Sequence, residues 1–122
     1  MEHADVQRWL DDYVAAWKSY DAEAIGALFS DDCRYSYRPY GDTVQGRDAI
    51  VRSWREDDPD EPGTYDASYR PYAVDGDVAV AVGSSTYTDP AKTYDNCYLL
   101  RFDADGRCSE FTEFFMERPS TE

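Results

Sequence analysis

At 122 residues the chain is long enough for one hydrophobic core and too short for two, so a single domain spanning 1–122 is expected. Its formal net charge of -14, with ten Arg and two Lys against 26 acids and no basic cluster, argues against nucleic acid and anionic membrane surfaces as partners. An aromatic share of 16%, made of 11 Tyr, 5 Phe and 3 Trp, argues against disorder in spite of that charge.

Val6, Leu10, Tyr13, Val14 and Trp17 recur at three- and four-residue spacing, which predicts an amphipathic helix with Asp5 as its N-cap. Asp21 can cap a second, shorter helix carrying Ile25, Leu28 and Phe29 on one side, so the two make a hairpin. CRYSYRPY alternates Cys33, Tyr35 and Tyr37 against Arg34, Ser36 and Arg38 and stops at Pro39, the pattern of a short strand at a sheet edge. PYGDTVQG reads as a loop, and a third helix over 47–55 buries Ile50, Val51 and Trp54. The acid-rich EDDPDEPG that follows reads as a solvated surface loop without the ligand spacing of a calcium site.

The rest has β character. TYDASYRPYAV, DVAVAVGSSTYT, TYDNCYLLRF and RCSEFTEFFMERP are four strands punctuated by Asp75-Gly76, Asp89-Pro90 and the stretch 103–106, turn chemistry suited to antiparallel neighbours. Helices first and a strand meander afterwards predict an α+β domain, a curved mixed or antiparallel sheet with three N-terminal helices on its concave face. The ends, 1–4 and 119–122, are expected to be loose.

Cys33, Cys97 and Cys108 lack CxxC spacing and read as reduced, buried thiols. The only histidine, His3, lies at a terminus, so no metal and no cofactor is expected. No stretch approaches the roughly 20 apolar residues of a membrane span. MEHADVQRWL also lacks the features of a signal peptide, and a cytoplasmic location is expected.

EFTEFFMERP poses the sharpest question. In an extended strand Phe111, Glu113 and Phe115 share one face, and Thr112, Phe114 and Met116 share the other. Glu113 thus has apolar neighbours, and desolvation would raise its pKa toward the range useful for proton transfer. An ion pair or hydrogen bond from a neighbouring strand is the structural alternative. The opposite face is apolar too, and with Cys97 and Leu99 alongside it is expected to be covered by a second copy of the chain.

The order of elements resembles the fold family of nuclear transport factor 2, ketosteroid isomerase and the SnoaL-like polyketide cyclases. The resemblance is carried by YVAAW followed by DAEAIGALFSDD, by GRDAIVRSW, and by LRFDADGR ahead of an alternating strand. It implies a cone with an apolar pocket at its wide end and a dimer across the outer sheet face. It also implies that Tyr13 occupies the position of an enolate-stabilising tyrosine. The family's general base falls near Tyr37 and its second oxyanion-hole acid on Tyr98, so two carboxyls are replaced by phenols, which are poor bases at a pKa of about 10. The acid that SnoaL-like cyclases carry on the last strand falls on Glu113. These correspondences imply Glu113 as general acid or base, Tyr13 and Tyr98 as donors to a carbonyl or enolate, and Trp17, Tyr37, Trp54, Asn96, Phe111 and Phe115 around the ligand. The expected function is cofactor-free acid-base chemistry, as an isomerase, cyclase, dehydratase or hydrolase, on a small apolar oxygenated molecule. The alternative is a noncatalytic module that binds a hydrophobic ligand or serves as a dimeric scaffold.

Overall fold

A computed structural model of the chain describes residues 1–37, 41–57, 59–88 and 90–119. Three helices, α1 (His3–Ser19), α2 (Ala22–Gly26) and α3 (Arg47–Glu56), pack against one curved, unclosed sheet. The sheet has six strands, β1 (Phe29–Ser36), β2 (Thr43–Gln45), β3 (Tyr65–Asp75), β4 (Val78–Thr88), β5 (Ala91–Phe102) and β6 (Cys108–Glu117), in the order β2-β1-β6-β5-β4-β3. All neighbours are antiparallel except β1 and β6, which run parallel, so the sheet is mixed.

Helix α1 starts earlier than the apolar stripe suggests. Glu2 is the N-cap, its side chain accepts from the backbone N–H of Asp5, and the Asp5 carboxylate accepts from Glu2 N–H at 2.9 Å. Asp5 is therefore the far half of a capping box rather than the cap. The buried face of α1 is Val6, Trp9, Leu10, Tyr13 and Ala16, with Val14 only partly buried. Trp9 is the central side chain: it stacks on Tyr13 and meets Phe102 edge-on, both at 5.5 Å, and its indole donates to Leu28 O at 3.0 Å. The predicted cap of α2 holds, Asp21 accepting from Ala24 N–H at 3.0 Å.

Two expectations about the early strands are corrected. β1 begins at Phe29, and the edge is formed by β2, within the stretch read as a loop, where 43–45 pair with 34–36. Both ladders fit: Tyr35 lies beside Phe111 of β6 on one side and Val44 of β2 on the other. The end of the CRYSYRPY strand at 38–40 and the Asp89 turn position lie outside the described residues, as do 120–122 of the predicted loose end. Of the three cysteines, Cys33 and Cys108 are buried, whereas Cys97 is only partly so because it sits on the outer sheet face. Among the described residues no helix is long and apolar enough to cross a membrane.

Strand register sorts the concave face into layers. Ala79, Leu100, Phe111 and Tyr35 form one row, closed off by Trp9, Phe29 and Tyr13. Further along the strands come Ala81, Tyr98 and Glu113, then Gly83, Asn96 and Phe115, then Ser85, Tyr94 and Glu117. The first row is solid core, and the later rows open into a cavity.

Candidate functional site

The cavity encloses about 660 Å³, within the range of small-molecule sites. Its floor is the inner face of β4, β5 and β6, and its other walls come from α1, β1, α3, β3 and the residues Asp57, Pro59 and Asp60. Of the residues predicted to surround a ligand, Trp17, Tyr37, Trp54, Asn96 and Phe115 line it, together with Tyr13, Tyr98 and Glu113. Phe111 does not. It lies one layer deeper, 1% exposed, stacked on Tyr35 at 4.3 Å with nearly parallel rings, and so backs the site instead of facing it. Phe115 stands at the mouth, half-exposed and edge-on to Tyr94 at 5.8 Å.

Glu113 is held by two donors. Asn96 Nδ2 donates to Oε2 at 3.0 Å and the Tyr98 hydroxyl reaches the same oxygen at 3.5 Å, while Asn96 Oδ1 accepts from Ser85 Oγ at 3.1 Å. Both donors address Oε2, which leaves Oε1 without a hydrogen bond among the described residues. No ion pair involves Glu113 among them either. Burial raises the Glu113 pKa to about 7 against the lowering pull of the Asn96 and Tyr98 hydrogen bonds, because its carboxyl end is enclosed and has no cation to offset desolvation.

The phenols remain proton donors. Burial drives the hydroxyls of Tyr13, Tyr35 and Tyr98 well above the ordinary tyrosine range, with neighbouring phenols and the Glu113 charge adding to the effect. Tyr13 and Tyr35 hydroxyls lie 3.4 Å apart, and the Tyr37 hydroxyl bonds Ser53 Oγ. The Trp54 indole N–H is buried with no acceptor in hydrogen-bonding geometry, although it lies near enough to the Tyr35 oxygen to favour that group's ionised form.

Several lining residues escape the sequence reading. Tyr35 and Tyr69 are core tyrosines whose edges also reach the cavity. Tyr87 and Tyr94 could have been found by alternation, since Tyr94 shares a strand face with Asn96 and Tyr98. The acid-rich segment is exposed as expected at Glu56, Asp57, Pro59 and 61–63, but Asp60 is partly buried: Asp57, Pro59 and Asp60 border the cavity, and Asp60 Oδ2 accepts from the Trp17 indole at 3.1 Å. Asp58 lies outside the described residues.

Among solved structures, a nuclear transport factor 2-like protein of unknown function from Burkholderia xenovorans is similar with a TM-score of 0.72 at 18% identity, over 98% of this chain and 88% of that one. A candidate ketosteroid isomerase from Kribbella flavida is similar with a TM-score of 0.72 at 21% identity, over 98% and 84%. An LEH-like epoxide hydrolase from M. tuberculosis gives 0.71 at 16%, over 95% and 86%. At these identities the likeness is one of fold. No curated protein matches in sequence. The SnoaL-like domain family matches residues 10–111, a span that runs from Leu10 of α1 to Phe111 of β6. The chain belongs to the SnoaL-like domain family and has its nuclear transport factor 2-like fold.

Proposed function

We propose that this chain is a small-molecule enzyme that works by acid-base chemistry in the tyrosine-rich cavity, with Glu113 as the proton-transfer group. The observation that carries the reading is the Glu113 carboxyl, pushed up by burial to about 7, pinned through one oxygen and without a hydrogen bond at the other among the described residues, beside neutral phenols. In the ionised form Oε1 can take a proton from a substrate carbon or from water, and return it later in the cycle. Tyr13, Tyr35 and Trp54 supply N–H and O–H groups to oxygen charge that develops at the same moment. Such an arrangement suits isomerisation, cyclisation, dehydration or hydrolysis, and the names borne by the Kribbella and M. tuberculosis proteins fall within that range.

A binding role without turnover is favoured by one observation, the hydrogen bonds that already occupy Oε2. A thermal-shift screen of steroids, polyketides and aromatic acids, followed by product analysis of each hit, separates the two. Glu113→Gln is expected to keep ligand-induced stabilisation, since an amide can still accept from Asn96 and Tyr98, and to lose turnover by about 100-fold or more. Full turnover in that variant removes Glu113 from the chemistry.

We also propose a homodimer through the outer sheet face. Leu99, Phe114 and Met116 are exposed there, with Cys97 and Thr112 partly buried between them. The register sets Cys97 between Val82 and Phe114, and Leu99 between Val80 and Thr112, in two contiguous apolar rows. Sedimentation at micromolar concentration is expected to return a dimer mass, and Leu99→Arg a monomer mass. A monomer mass for the unaltered protein overturns the proposal.

A further inference from the structure

A polar chain crosses the inner face of the sheet on the diagonal. Ser85 of β4 donates to Asn96 Oδ1 of β5 at 3.1 Å, and Asn96 Nδ2 donates to Glu113 Oε2 of β6 at 3.0 Å. The register explains why these three meet. Directly opposite Asn96 stand Gly83 on one side and Phe115 on the other, so both of its polar contacts run to residues two positions along the neighbouring strands, within reach in an antiparallel pair. Gly83 has no side chain with which to hold the amide, and Ser85 reaches it from the same strand.

Ser85 and Asn96 are both buried, where a polar group without a partner is costly. An asparagine amide carries an acceptor oxygen and a donor nitrogen on one planar head. Turned over, Asn96 would set Oδ1 against Glu113 Oε2, two acceptors facing each other while the carboxyl is ionised. A proton on Oε2 relieves that clash. The amide orientation and the Glu113 proton are therefore linked, and a donor on Oδ1 favours the orientation that holds the carboxylate. Ser85 is that donor. Tyr69, kept neutral by burial with its pKa pushed up to about 12, is the phenol beside Ser85 and can donate to Ser85 Oγ, which leaves the serine proton for Asn96. The groups whose ionisation senses the Glu113 charge are the phenols Tyr13, Tyr35, Tyr37, Tyr69, Tyr87 and Tyr98, all raised first by burial and neutral at pH 5 to 8.5. Asp57, Asp60 and Lys92 border the same cavity.

Resting on the reading of Glu113 as the proton-transfer group, we propose that Ser85 is a positioning residue that acts on Glu113 through Asn96. By fixing the amide, Ser85 has Nδ2 tether the carboxylate through Oε2 and leaves Oε1 to the substrate. The role needs no contact between Ser85 and the ligand. The Asn96 hydrogen bond pulls the Glu113 pKa down against burial, so a loosened amide lets it rise.

Carbon-13 NMR of the glutamate side-chain carboxyls, titrated on the full chain from pH 5 to pH 8.5, tests this without a substrate. The signal missing from Glu113→Gln assigns the group, and the other charged groups of the cavity are common to every variant. The unaltered protein is expected to titrate near 7. Ser85→Ala is expected to move that midpoint up by about half a pH unit or more, because the released amide can turn to accept from the protonated carboxyl. In an Asn96→Ala background the same substitution is expected to add little, since the serine acts through the amide. A serine that only packs would lower the urea midpoint and leave the Glu113 titration in place. That outcome, or an equal shift in the Asn96→Ala background, overturns the positioning role and leaves the acid-base reading standing. A Glu113 midpoint near 4.5 in the unaltered protein counts against both.

Discussion

Gly83→Ala is expected to destabilise the fold by on the order of 3 kcal/mol or more, at the upper end of overpacking effects. Gly83 lies on the inner face of β4 between Tyr69 of β3 and Asn96 of β5. A Cβ there would stand 2.1 Å from Ser68 O, 2.6 Å from Tyr69 Cδ1 and 2.8 Å from Tyr69 Cα. Two of those three atoms are backbone, so no side-chain rotation relieves the clash and the β3–β4 ladder itself must shift. The missing side chain is what lets the Tyr69 ring approach Gly83 closely while it meets Tyr98 edge-on at 5.0 Å. Urea unfolding should show a lower midpoint, and ligand binding should weaken because Tyr98, one of the two donors to Glu113, loses its support. Gly76→Ala is the control. Its φ of 62 disfavours a side chain, but no atom lies within 4 Å of the added carbon, so a cost of about 1 kcal/mol is expected there. Equal midpoints for the two variants would refute the steric account.

The difference between what could be read from residue order and what could not follows the range of the interactions. Periodicity located α1, but counting Val14 as core and passing over Trp9 shows the limit of a stripe. Both lie near the helix face, and only the sheet curling around Trp9, with Phe29 and Phe102 from distant segments, decides between them. β2 has three residues and no apolar alternation of its own, so its strand character comes from the partner it finds in β1. Alternation placed Glu113 on the inner face, and the same rule put Asn96 and Tyr98 on one face of β5. Their meeting depends on the β5–β6 register, which pairs Tyr98 with Glu113. Composition reads the acid-rich segment correctly as exposed except at Asp60. Nothing local distinguishes a solvated run of acids from one whose Asp60 is drawn back onto Trp17 and Tyr20, 43 and 40 residues earlier. The place of Asp60 in the cavity wall was hidden for that reason.

The Glu113 environment carries a second consequence, a stability that falls as pH rises. Burial raises this carboxyl from its ordinary 4.5 to about 7, so between those values the folded chain holds a proton that the unfolded chain has released. A native state that binds more protons gains stability below 4.5 in full and loses it as pH climbs through 7. The effect amounts to on the order of 3 kcal/mol. Most carboxylates act the other way when they are paired: Asp66, lowered by hydrogen bonding to Lys18, and Asp95, lowered by Arg118, favour the fold at higher pH. Those two are highly exposed and common to wild type and variant, so they cancel in a difference between Glu113→Gln and the unaltered protein. That difference, measured by chemical denaturation from pH 5 to pH 8, avoids the region near the pI of 4.2. Across this interval the unaltered protein is expected to lose about 2–3 kcal/mol relative to the variant, most of it between pH 5 and 7, with the curve levelling off toward pH 8. A flat difference would mean that Glu113 titrates like an exposed carboxylate. It would then be ionised throughout the neutral range, and the protonated form required of a general acid would be missing at pH 7.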